Sequence, residues 1–303
     1  MGIYLAVDAG GSKTNYLLAD ETQVLARVEG PSIKRMRVPA DAALSNLTNA
    51  FARLESLAGI GLGSVCSTCV GTAGNTVPLV TDWLSQEIGS RVGGSLLIVG
   101  DVEIALDAAF PGTHGLLVLA GTGSNVMGRA PNGQVAGAGG YGPVLADQGS
   151  GHSVGLRALR AIFRGIDRDE ESTLTAAILH HWRLRDIKEL VAYANVCAPT
   201  QFSALAPIVL ACAEAGDRIA REVLELEGRR LAELVIVAHR RLERLQEAAF
   251  TPRIACAGSI LEHAMPVRLA MIAALQAELD APEIIDGVVD PVVGALWRAR
   301  RVT

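Results

Sequence analysis

Two kinds of hydrophobic pattern alternate along the chain. Runs of about five apolar residues that end in glycine are typical of buried strands, and apolar residues three and four positions apart predict amphipathic helices. The pattern predicts strands at residues 3–8, 15–19, 24–28, 65–70, 95–99, 116–120, 125–129, 135–138, 253–257 and 283–285. It predicts helices at 39–58, 77–88, 102–110, 150–163, 174–181, 187–194, 201–215, 217–247, between 259 and 279, and from 290 onward.

The order of these elements repeats once. Three consecutive strands, with a glycine turn after the first, open the chain, and the same order restarts near residue 116 before further helices and a strand. Such a repeat predicts two similar α/β lobes with a site in the cleft between them. We expect an N-terminal lobe over residues 1–115 and a C-terminal lobe with a helical insertion over 116–289. A last helix, 290–303, should pack back on the N-terminal lobe, with Asp290 as its N-cap and Pro291 as its first residue.

Glycine and hydroxyl residues concentrate where apolar strands end. Gly10 to Thr14 follow the first strand, and Gly121-Thr122-Gly123-Ser124 follow the strand at 116–120. Glycine lets backbone N–H groups approach an anion closely, and hydroxyls add donors without charge, so both turns are candidate phosphate cradles. Asp8 precedes the first turn, where a carboxylate can hold a hydrated Mg²⁺. A purely structural turn that Asp8 caps is the alternative.

Two further acidic residues precede helices. Asp101 comes directly after the strand at 95–99, where open α/β sheets place groups that contact ligands. Asp147 lies three residues before Ser150, at the start of the helix predicted from 150. Each of these residues, taken alone, is also a favoured helix cap. The pattern by itself leaves both interpretations open.

Composition narrows the function classes. Half of the 303 residues are hydrophobic and 19% are charged, which suffices for two packed domains. A net charge of −5 and an aromatic content of 4% argue against nucleic acid or an anionic membrane as the main partner. Neither a long apolar segment nor a signal-peptide pattern occurs, which predicts a cytoplasmic protein.

The five cysteines are scattered and odd in number, which predicts free thiols in a reducing compartment. Cys66 and Cys69 form a C-x-x-C pair. We place both on the strand at 65–70, where an offset of three residues directs the two side chains to opposite faces. Core packing is therefore favoured over metal binding or redox chemistry for this pair.

Taken together, the motifs resemble those of the BadF/BadG/BcrA/BcrD ATPase family, and within it the N-acetylglucosamine and glucosamine kinases. The segments that carry the resemblance are DAGGSKT at 8–14, GD at 100–101, AGTGSN at 120–125, GGYGPVLADQGSG at 139–151, CAGSI at 256–260 and DPVVGAL at 290–296. They span nearly the whole chain in the family's order. The resemblance implies an α/β, two-lobed actin-like ATPase (ribonuclease H-like) fold with duplicated βββαβαβα domains. It also implies ATP and Mg²⁺ as cofactors, and an amino sugar that is phosphorylated at its C6 hydroxyl.

The resemblance further implies roles for individual residues. Asp101 corresponds to the catalytic base and Asp8 to the Mg²⁺–water shell. The residues implied to bind the nucleotide are Gly10, Gly11, Ser12, Lys13, Thr14, Gly121, Thr122, Gly123, Ser124, Gly258 and Ser259. The residues implied to contact or lie near the sugar are Thr72, Ala73, Asn125, Gly140, Tyr141 and Asp147. A homodimer formed through the helical second lobe is expected on the same basis.

Several positions depart from the family pattern and leave the sugar open. Gln148 stands where a glutamate is usual, and Tyr141 where a tryptophan is frequent. Ile33-Lys34-Arg35 stand where the N-acetylglucosamine kinases offer an asparagine to the sugar. One hypothesis is that Lys34, Arg35 or Arg37 favours a sugar with an acidic group. The alternative is a basic surface loop over residues 30–37.

Two other functions are compatible with the resemblance. The first is that of the family's ATPases that activate a reductase or a dehydratase through an iron–sulfur cluster between subunits, which requires suitably placed cysteines. The second is a non-catalytic sensor of a nucleotide or a sugar. Against a sensor, Asp8, Asp101 and both glycine turns are intact.

Overall fold

Each half of the chain folds around its own five-stranded sheet. The computed structural model describes residues 2–302, with the backbone alone for Pro199 and Thr200. One unit comprises residues 1–113 and 289–303, and the other comprises residues 114–288. The boundaries predicted from the sequence, 115/116 and 289/290, lie within two residues of these limits.

In the first unit, three antiparallel strands are extended by two parallel ones. The strands are β1 (Tyr4–Ala9), β2 (Lys13–Ala19), β3 (Val24–Pro31), β4 (Ser67–Thr72) and β5 (Ser95–Val99). Their order is β3-β2-β1-β4-β5, with β4 and β5 parallel to β1. The helices are α1 (Ala40–Ala58), α2 (Pro78–Gly89), α3 (Asp101–Ala109) and, from the end of the chain, α12 (Pro291–Ala299); a 3₁₀ turn covers Leu62–Ser64.

The second unit repeats this connectivity and adds helices. Its strands are β6 (Gly115–Ala120), β7 (Ser124–Arg129), β8 (Val135–Gly139), β9 (Arg253–Ala257) and β10 (Glu283–Ile284). Its helices are α4 (Gly151–Ile166), α5 (Thr173–Trp182), α6 (Ile187–Ala194), α7 (Pro199–Ser203), α8 (Ala206–Glu214), α9 (Arg218–Gln246), α10 (Ser259–His263) and α11 (Met265–Glu278). The order β10-β9-β6-β7-β8 is that of the first sheet with corresponding strands in the same places. The predicted duplicated α/β fold is therefore confirmed.

The sheets bring particular strand ends together. In the first unit β1, β4 and β5 are parallel, so their carboxyl ends, Ala9, Thr72 and Val99, lie along one edge. In the second unit β6 and β9 are parallel, and β8 runs the same way because β7 is antiparallel to both of its neighbours. In each unit, therefore, the glycine turn lies at the sheet edge where the carboxyl ends of the parallel strands meet.

Helix burial follows the predicted amphipathic stripes. The 29-residue α9 begins after Asp217, whose carboxylate accepts the Ala220 N–H at 2.9 Å, and buries Leu224, Leu231 and Leu242. Asp290 caps α12, and its carboxylate faces the Val292 N–H at 3.4 Å. The helix α12 packs on α3 and β1 of the first unit.

The structure corrects four details of the sequence prediction. The predicted helix 201–215 is two helices, α7 and α8, because Pro207 at the start of α8 lacks the N–H that would continue the helix from α7. The strand β3 continues to Pro31, where the sequence predicts a loop from residue 30; an edge strand tolerates this proline. The last helix is expected to pack on the first unit, but not all of its apolar residues do so: Val293 is 46% exposed because it lies on the outer face of α12.

The fourth correction concerns the cysteine pair. Cys66 lies one residue before β4 and is exposed, whereas Cys69 is buried within that strand. Burial raises the pKa of the Cys69 thiol to about 12, so this thiol is an inert core side chain. Within residues 2–302, no group of three or more His, Cys, Asp or Glu side chains is arranged to hold a metal ion. No helix among the described residues combines the length and the apolar composition that crossing a membrane requires.

Candidate functional site

The acidic residues of the first unit meet at one edge of its sheet. Asp8 is the penultimate residue of β1; it pairs in register with Asn15 of β2 and lies beside Gly71 of β4. Asp101 follows β5 after a single residue, Gly100. Because the ends of β1, β4 and β5 are adjacent, the structure brings together Asp8, the glycine turn and Asp101.

The electrostatics of Asp8 favour a bound cation. Burial raises the pKa of its carboxyl group to about 6; Asn15 opposes the shift by hydrogen bonding, Asp101 and Asp290 add to it by repulsion, and Lys13 opposes it by attraction. A divalent cation would relieve both the repulsion and the desolvation. Mg²⁺ typically takes one or two protein carboxylates and completes its shell with water and phosphate oxygens.

Asp101 is the first residue of α3 and not its N-cap. Gly100 holds the N-cap position, and its N–H donates to Glu103 Oε1 at 3.2 Å. Asp101 Oδ1 accepts the N–H of the adjacent Val102 at 2.9 Å. Its second oxygen has no partner among residues 2–302, so the carboxylate keeps a free acceptor. The N-cap alternative weighed for this residue is wrong, because glycine takes that position.

The basic loop is attached to the first glycine turn. Ser32 Oγ donates to the Gly10 carbonyl at 2.7 Å, and the Ile33 N–H donates to Thr14 Oγ1 at 3.2 Å. The Arg37 guanidinium covers Gly11, since a Cβ on that glycine would lie 3.3 Å from it. The sequence pattern suggests an independent surface loop, whereas these contacts hold residues 32–37 at the edge of the site.

Two lysines near this turn differ in their surroundings. Lys34 is half-buried; burial lowers the pKa of its ammonium group, Asp101 raises it and Arg37 lowers it again. Lys13 is exposed and pairs with Glu29 at 2.7 Å. Lys34 therefore lies within electrostatic range of the Asp101 carboxylate, and Lys13, to which the sequence assigns a nucleotide role, lies within range of Asp8.

Thr72 and Ala73 follow the end of β4. The Thr72 side chain is fully buried, and the one proton of its hydroxyl lies between two possible acceptors, the carbonyls of Ala9 at 3.4 Å and Ala73 at 3.3 Å. This hydroxyl ties the end of β4 to the end of β1. Asn75, which the sequence analysis does not single out, lies close to Gly100, since its Oδ1 is 3.8 Å from where a Cβ there would stand.

The second glycine turn is fixed from two sides. The Gly121 N–H donates to the Gly123 carbonyl at 2.9 Å, and the Ser124 N–H donates to Asp147 Oδ1 at 2.7 Å. The start of α4 also contributes, since the Gly151 N–H donates to the Gly121 carbonyl at 2.8 Å. Within the described chain, the N–H groups of Thr122 and Gly123 keep no acceptor. Of the groups predicted to bind phosphate at this turn, the Thr122 and Gly123 N–H groups and the hydroxyls of Thr122 and Ser124 therefore stay available.

Asp147 and Ser150 have separate structural partners. Asp147 is buried and holds Ser124, whereas Ser150 is the N-cap of α4 and accepts the Ser153 N–H at 3.0 Å. Two buried polar atoms beside them, Ser124 Oγ and Gln148 Oε1, have no hydrogen-bond partner among the described residues. Orphaned polar atoms of this kind are expected where a polar ligand binds.

The other predicted residues of the second unit flank this turn. Gly258 has a φ of +95°, and a Cβ there would lie 2.4 Å from the Ala120 carbonyl oxygen, so only glycine fits. Ser259 follows it, and its Oγ is 3.7 Å from the Cβ position of Gly121. Asn125 lies against Gly140, 3.0 Å from the corresponding Cβ position there. Tyr141 is 63% exposed and projects from the same loop.

Comparison with known proteins decides the family. The model of the BadF/BadG/BcrA/BcrD ATPase family matches residues 5–299. The chain belongs to this family.

Three relatives that match by sequence are named as sugar kinases. The chain is 28% identical over 246 residues to an N-acetylmuramic acid/N-acetylglucosamine kinase of Clostridium acetobutylicum, covering 76% of this chain and 77% of that protein. It is 26% identical over 310 residues to an N-acetyl-D-glucosamine kinase of Dictyostelium discoideum, covering 97% and 96%. A solved structure from Chromobacterium violaceum, provisionally assigned as an N-acetylglucosamine kinase, superposes with a TM-score of 0.74 at 24% identity over 98% of both chains. This last likeness concerns the fold.

In this member of the BadF/BadG/BcrA/BcrD family, the residues predicted for the site divide between the two units. The first unit brings together the following: Asp8, Gly10 to Thr14, Thr72, Ala73 and Asp101. The second unit brings together Gly121 to Ser124, Asn125, Gly140, Asp147, Gly258 and Ser259. The cleft predicted between the halves stays a prediction. The basic character of Arg37 is visible in the sequence, but its contact with the first glycine turn is not, and no motif gives a signal for Asn75.

Proposed function

We propose that this protein is an ATP-dependent kinase of an amino sugar such as N-acetylglucosamine or glucosamine. The observation that carries the proposal is the shared edge of the first sheet, where a glycine turn, the partly buried Asp8 and the Asp101 carboxylate lie together. Phosphoryl transfer needs little covalent chemistry from a protein and depends on positioning and on neutralising phosphate charge. The kinase relatives add independent support.

The nucleotide phosphates would bind the backbone donors of both glycine turns. In the second unit the available donors are the Thr122 and Gly123 N–H groups, with the hydroxyls of Thr122 and Ser124 beside them; Gly258 and Ser259 would lie toward the adenosine. In the first unit, Arg37 adds a positive charge over Gly11. Asp8 would hold Mg²⁺ through its water shell, and the cation supplies neutralisation of phosphate charge when it is bound.

Asp101 would act on the sugar hydroxyl. Its free carboxylate oxygen can accept a hydrogen bond from the hydroxyl that attacks the γ-phosphorus, and it can take the proton as the new O–P bond forms. The bond between the γ-phosphorus and the bridging oxygen breaks, and ADP leaves with the electron pair. Asn125, Gly140, Tyr141 and Asp147 are the proposed neighbours of the sugar, with the C6 hydroxyl as the acceptor.

A second candidate substrate is an amino sugar with an acidic substituent. Lys34 and Arg37 both lie at the Asp101 edge, and together they could pair with a carboxylate on the sugar. One relative is a kinase of N-acetylmuramic acid as well as N-acetylglucosamine. Replacing Lys34 with Met should then reduce kcat/KM for the acidic sugar about tenfold or more, with a smaller effect on the neutral sugar. Arg37 is left in place because it also lies over the first glycine turn.

The test is ADP release from Mg-ATP against a panel of neutral, amino, N-acetylated and acidic sugars, repeated with EDTA. Release that requires both an amino sugar and Mg²⁺ is expected. ATP hydrolysis that no sugar stimulates would favour the activating ATPase, and tight ATP binding without turnover would favour the sensor. Comparing kcat/KM values across the panel then identifies the preferred sugar.

The proposal extends to assembly. We expect a homodimer in which the helices of the second unit form the interface. Sedimentation equilibrium should give a mass near twice the 31.7 kDa of the chain. A monomer at micromolar concentration that retains full activity would contradict this part of the proposal alone.

A further inference from the structure

A separate cavity lies in the helical part of the second unit. Its volume is about 570 Å³, within the range of small-molecule sites. It is lined by Leu156, Arg157, Leu159, Arg160, Phe163 and Arg164 of α4, by Ala194 and Asn195 at the end of α6, and by Phe202 of α7. None of these residues belongs to the glycine turns or to the proposed sugar contacts.

The cavity combines an apolar floor with three arginines. Arg157, Arg160 and Arg164 are three, four and seven residues apart, so they project from the same face of α4. No lining residue is acidic. Arg160 and Arg164 are exposed, and neither has an ion-pair partner within residues 2–302. This positive group stands out in a chain whose net charge is −5.

Arg157 is held in place by a buried carboxylate. Its Nε donates to Glu227 Oε1, and Glu227 is fully buried on α9. Glu227 Oε2 also accepts the Gly149 N–H at 2.8 Å, and Arg230 lies 3.4 Å from Oε1. The contacts of Arg157 in the described chain thus use its Nε and leave its terminal nitrogens for another acceptor. A guanidinium that is already oriented loses little entropy when it binds an anion.

A second cavity of similar size serves as an internal comparison. It measures about 490 Å³ between α8, α9 and α11, and its floor is also apolar. There, Glu214 and Glu225 accompany Arg221 and Arg229, and Arg229 lies 3.9 Å from Glu225. Its charges are balanced, whereas those of the α4 cavity are not. Charge, rather than size or apolar surface, distinguishes the two.

We infer that the α4 cavity binds a small organic anion that carries an apolar body. The phosphate, sulfonate or carboxylate group pairs with Arg157, Arg160 and Arg164, because charge-assisted hydrogen bonds to guanidinium are strong and directional. The apolar body lies on Leu156, Leu159, Phe163 and Phe202. An inorganic ion would use only the first group of residues, and a neutral apolar molecule only the second.

The experiment is calorimetric titration of the full chain with 1-naphthyl phosphate and with neutral 1-naphthol. The informative variant replaces Arg160 and Arg164 with Gln; both side chains are exposed, so the fold should be kept, and equal thermal unfolding temperatures check this. Arg221→Gln, in the balanced cavity, removes one positive charge elsewhere in the same unit and is the matched control. The glycine turns, which could also bind a phosphate, are unchanged in all variants.

The wild type and Arg221→Gln should bind 1-naphthyl phosphate with equal affinity. The variant with Arg160→Gln and Arg164→Gln should bind it at least about tenfold more weakly. Naphthol should bind the wild type about tenfold more weakly than its phosphate. Equal affinity of the wild type and the double variant, equal affinity for naphthol and its phosphate, or no binding to the wild type would each overturn the inference. Should the double variant unfold, Arg164→Lys and Arg164→Gln compared with each other decide, since only the second removes the charge.

Discussion

The two units have the same sheet connectivity and contribute different chemistry at corresponding edges. In the first unit the edge carries charged residue types: Lys13 acts on Asp8, Asp101 and Arg37 act on Lys34, and Arg37 lies over Gly11. In the second unit the edge carries mainly neutral donors and acceptors, such as the Thr122 and Gly123 N–H groups and the Asn125 amide. Its one buried acid at this place, Asp147, is engaged by the Ser124 N–H at 2.7 Å.

This difference shows which properties a duplicated fold determines. Connectivity fixes where strands end and therefore where a turn can contact a ligand. It does not fix whether the side chains at that edge are charged or neutral.

Asp101→Asn should separate the two edges most clearly. Asparagine keeps the shape and the hydrogen bond to Val102, but it cannot take a proton, so sugar-dependent kcat should fall by about 10² to 10⁴. ATP binding should be unchanged, since the nucleotide is expected to contact the turns. Steady-state kinetics and nucleotide titration measure the two effects. Asp82→Asn, an exposed acid on α2, is the control, and an Asp101→Asn enzyme with near wild-type kcat would remove Asp101 from the mechanism.

Gly258→Ala tests the neutral edge through its packing. The added Cβ would stand 2.4 Å from the Ala120 carbonyl oxygen at a φ of +95°, so β6 and β9 must separate or the turn must shift. We expect a loss of about 3 kcal/mol in the free energy of unfolding, measured by urea denaturation. Gly133→Ala, at a φ of +87° with open space around it, has the same backbone strain without the clash and should lose only about 1 kcal/mol. Equal losses would mean that backbone conformation, and not close approach, requires Gly258.

The sequence predicts those features of the two sheet edges that depend on local patterns, and it does not predict those that depend on long-range contacts. Strand ends followed by glycine predict both turns, because apolar runs and glycine are local features. The family motifs predict Asp8, Asp101 and Asp147 by position. The bond from Asp147 to Ser124, however, joins residues 23 positions apart across a loop, and no local pattern reveals which N–H groups it occupies.

For the basic loop at residues 30–37, the local sequence pattern gives the wrong interpretation. Its charges and its proline suggested a separate surface segment from residue 30. The pairing of Lys13 with Pro31 in the β2–β3 register, and the bond from Ser32 to Gly10, instead attach it to the glycine turn. Tertiary hydrogen bonds of this kind override the local preference for a loop, so the position of Arg37 over Gly11 required the fold.

Asp8→Asn tests how much the buried Asp8 carboxylate lowers the free energy of unfolding at different pH values. The folded-state pKa of about 6 lies above the ordinary value of 3.8, so the folded protein holds this proton more tightly than the unfolded chain does. Protonation of Asp8 therefore stabilises the folded state relative to the unfolded chain. This contribution to the free energy of unfolding is fully present below about pH 4 and is lost as the pH rises through about 6. In EDTA, the asparagine variant should therefore exceed the wild type by up to about 3 kcal/mol at pH 8 and match it near pH 4. Urea denaturation at both values checks this, and a difference independent of pH would contradict it.

Lys13→Met should have the smallest effect and shows that not every charge at the first edge matters equally. The Lys13 and Glu29 side chains are about 60% exposed, and such pairs contribute about 0–1 kcal/mol. To reach a phosphate, the ammonium group must leave Glu29, so it exchanges one solvated ion pair for another. We expect KM for ATP to rise about two- to threefold, with unfolding free energy nearly unchanged. Glu29→Gln frees Lys13 from its partner and should lower KM for ATP slightly. A tenfold or larger rise in KM for Lys13→Met would contradict this prediction. It would show that Lys13 binds the phosphates directly, because only a desolvated contact has that energy.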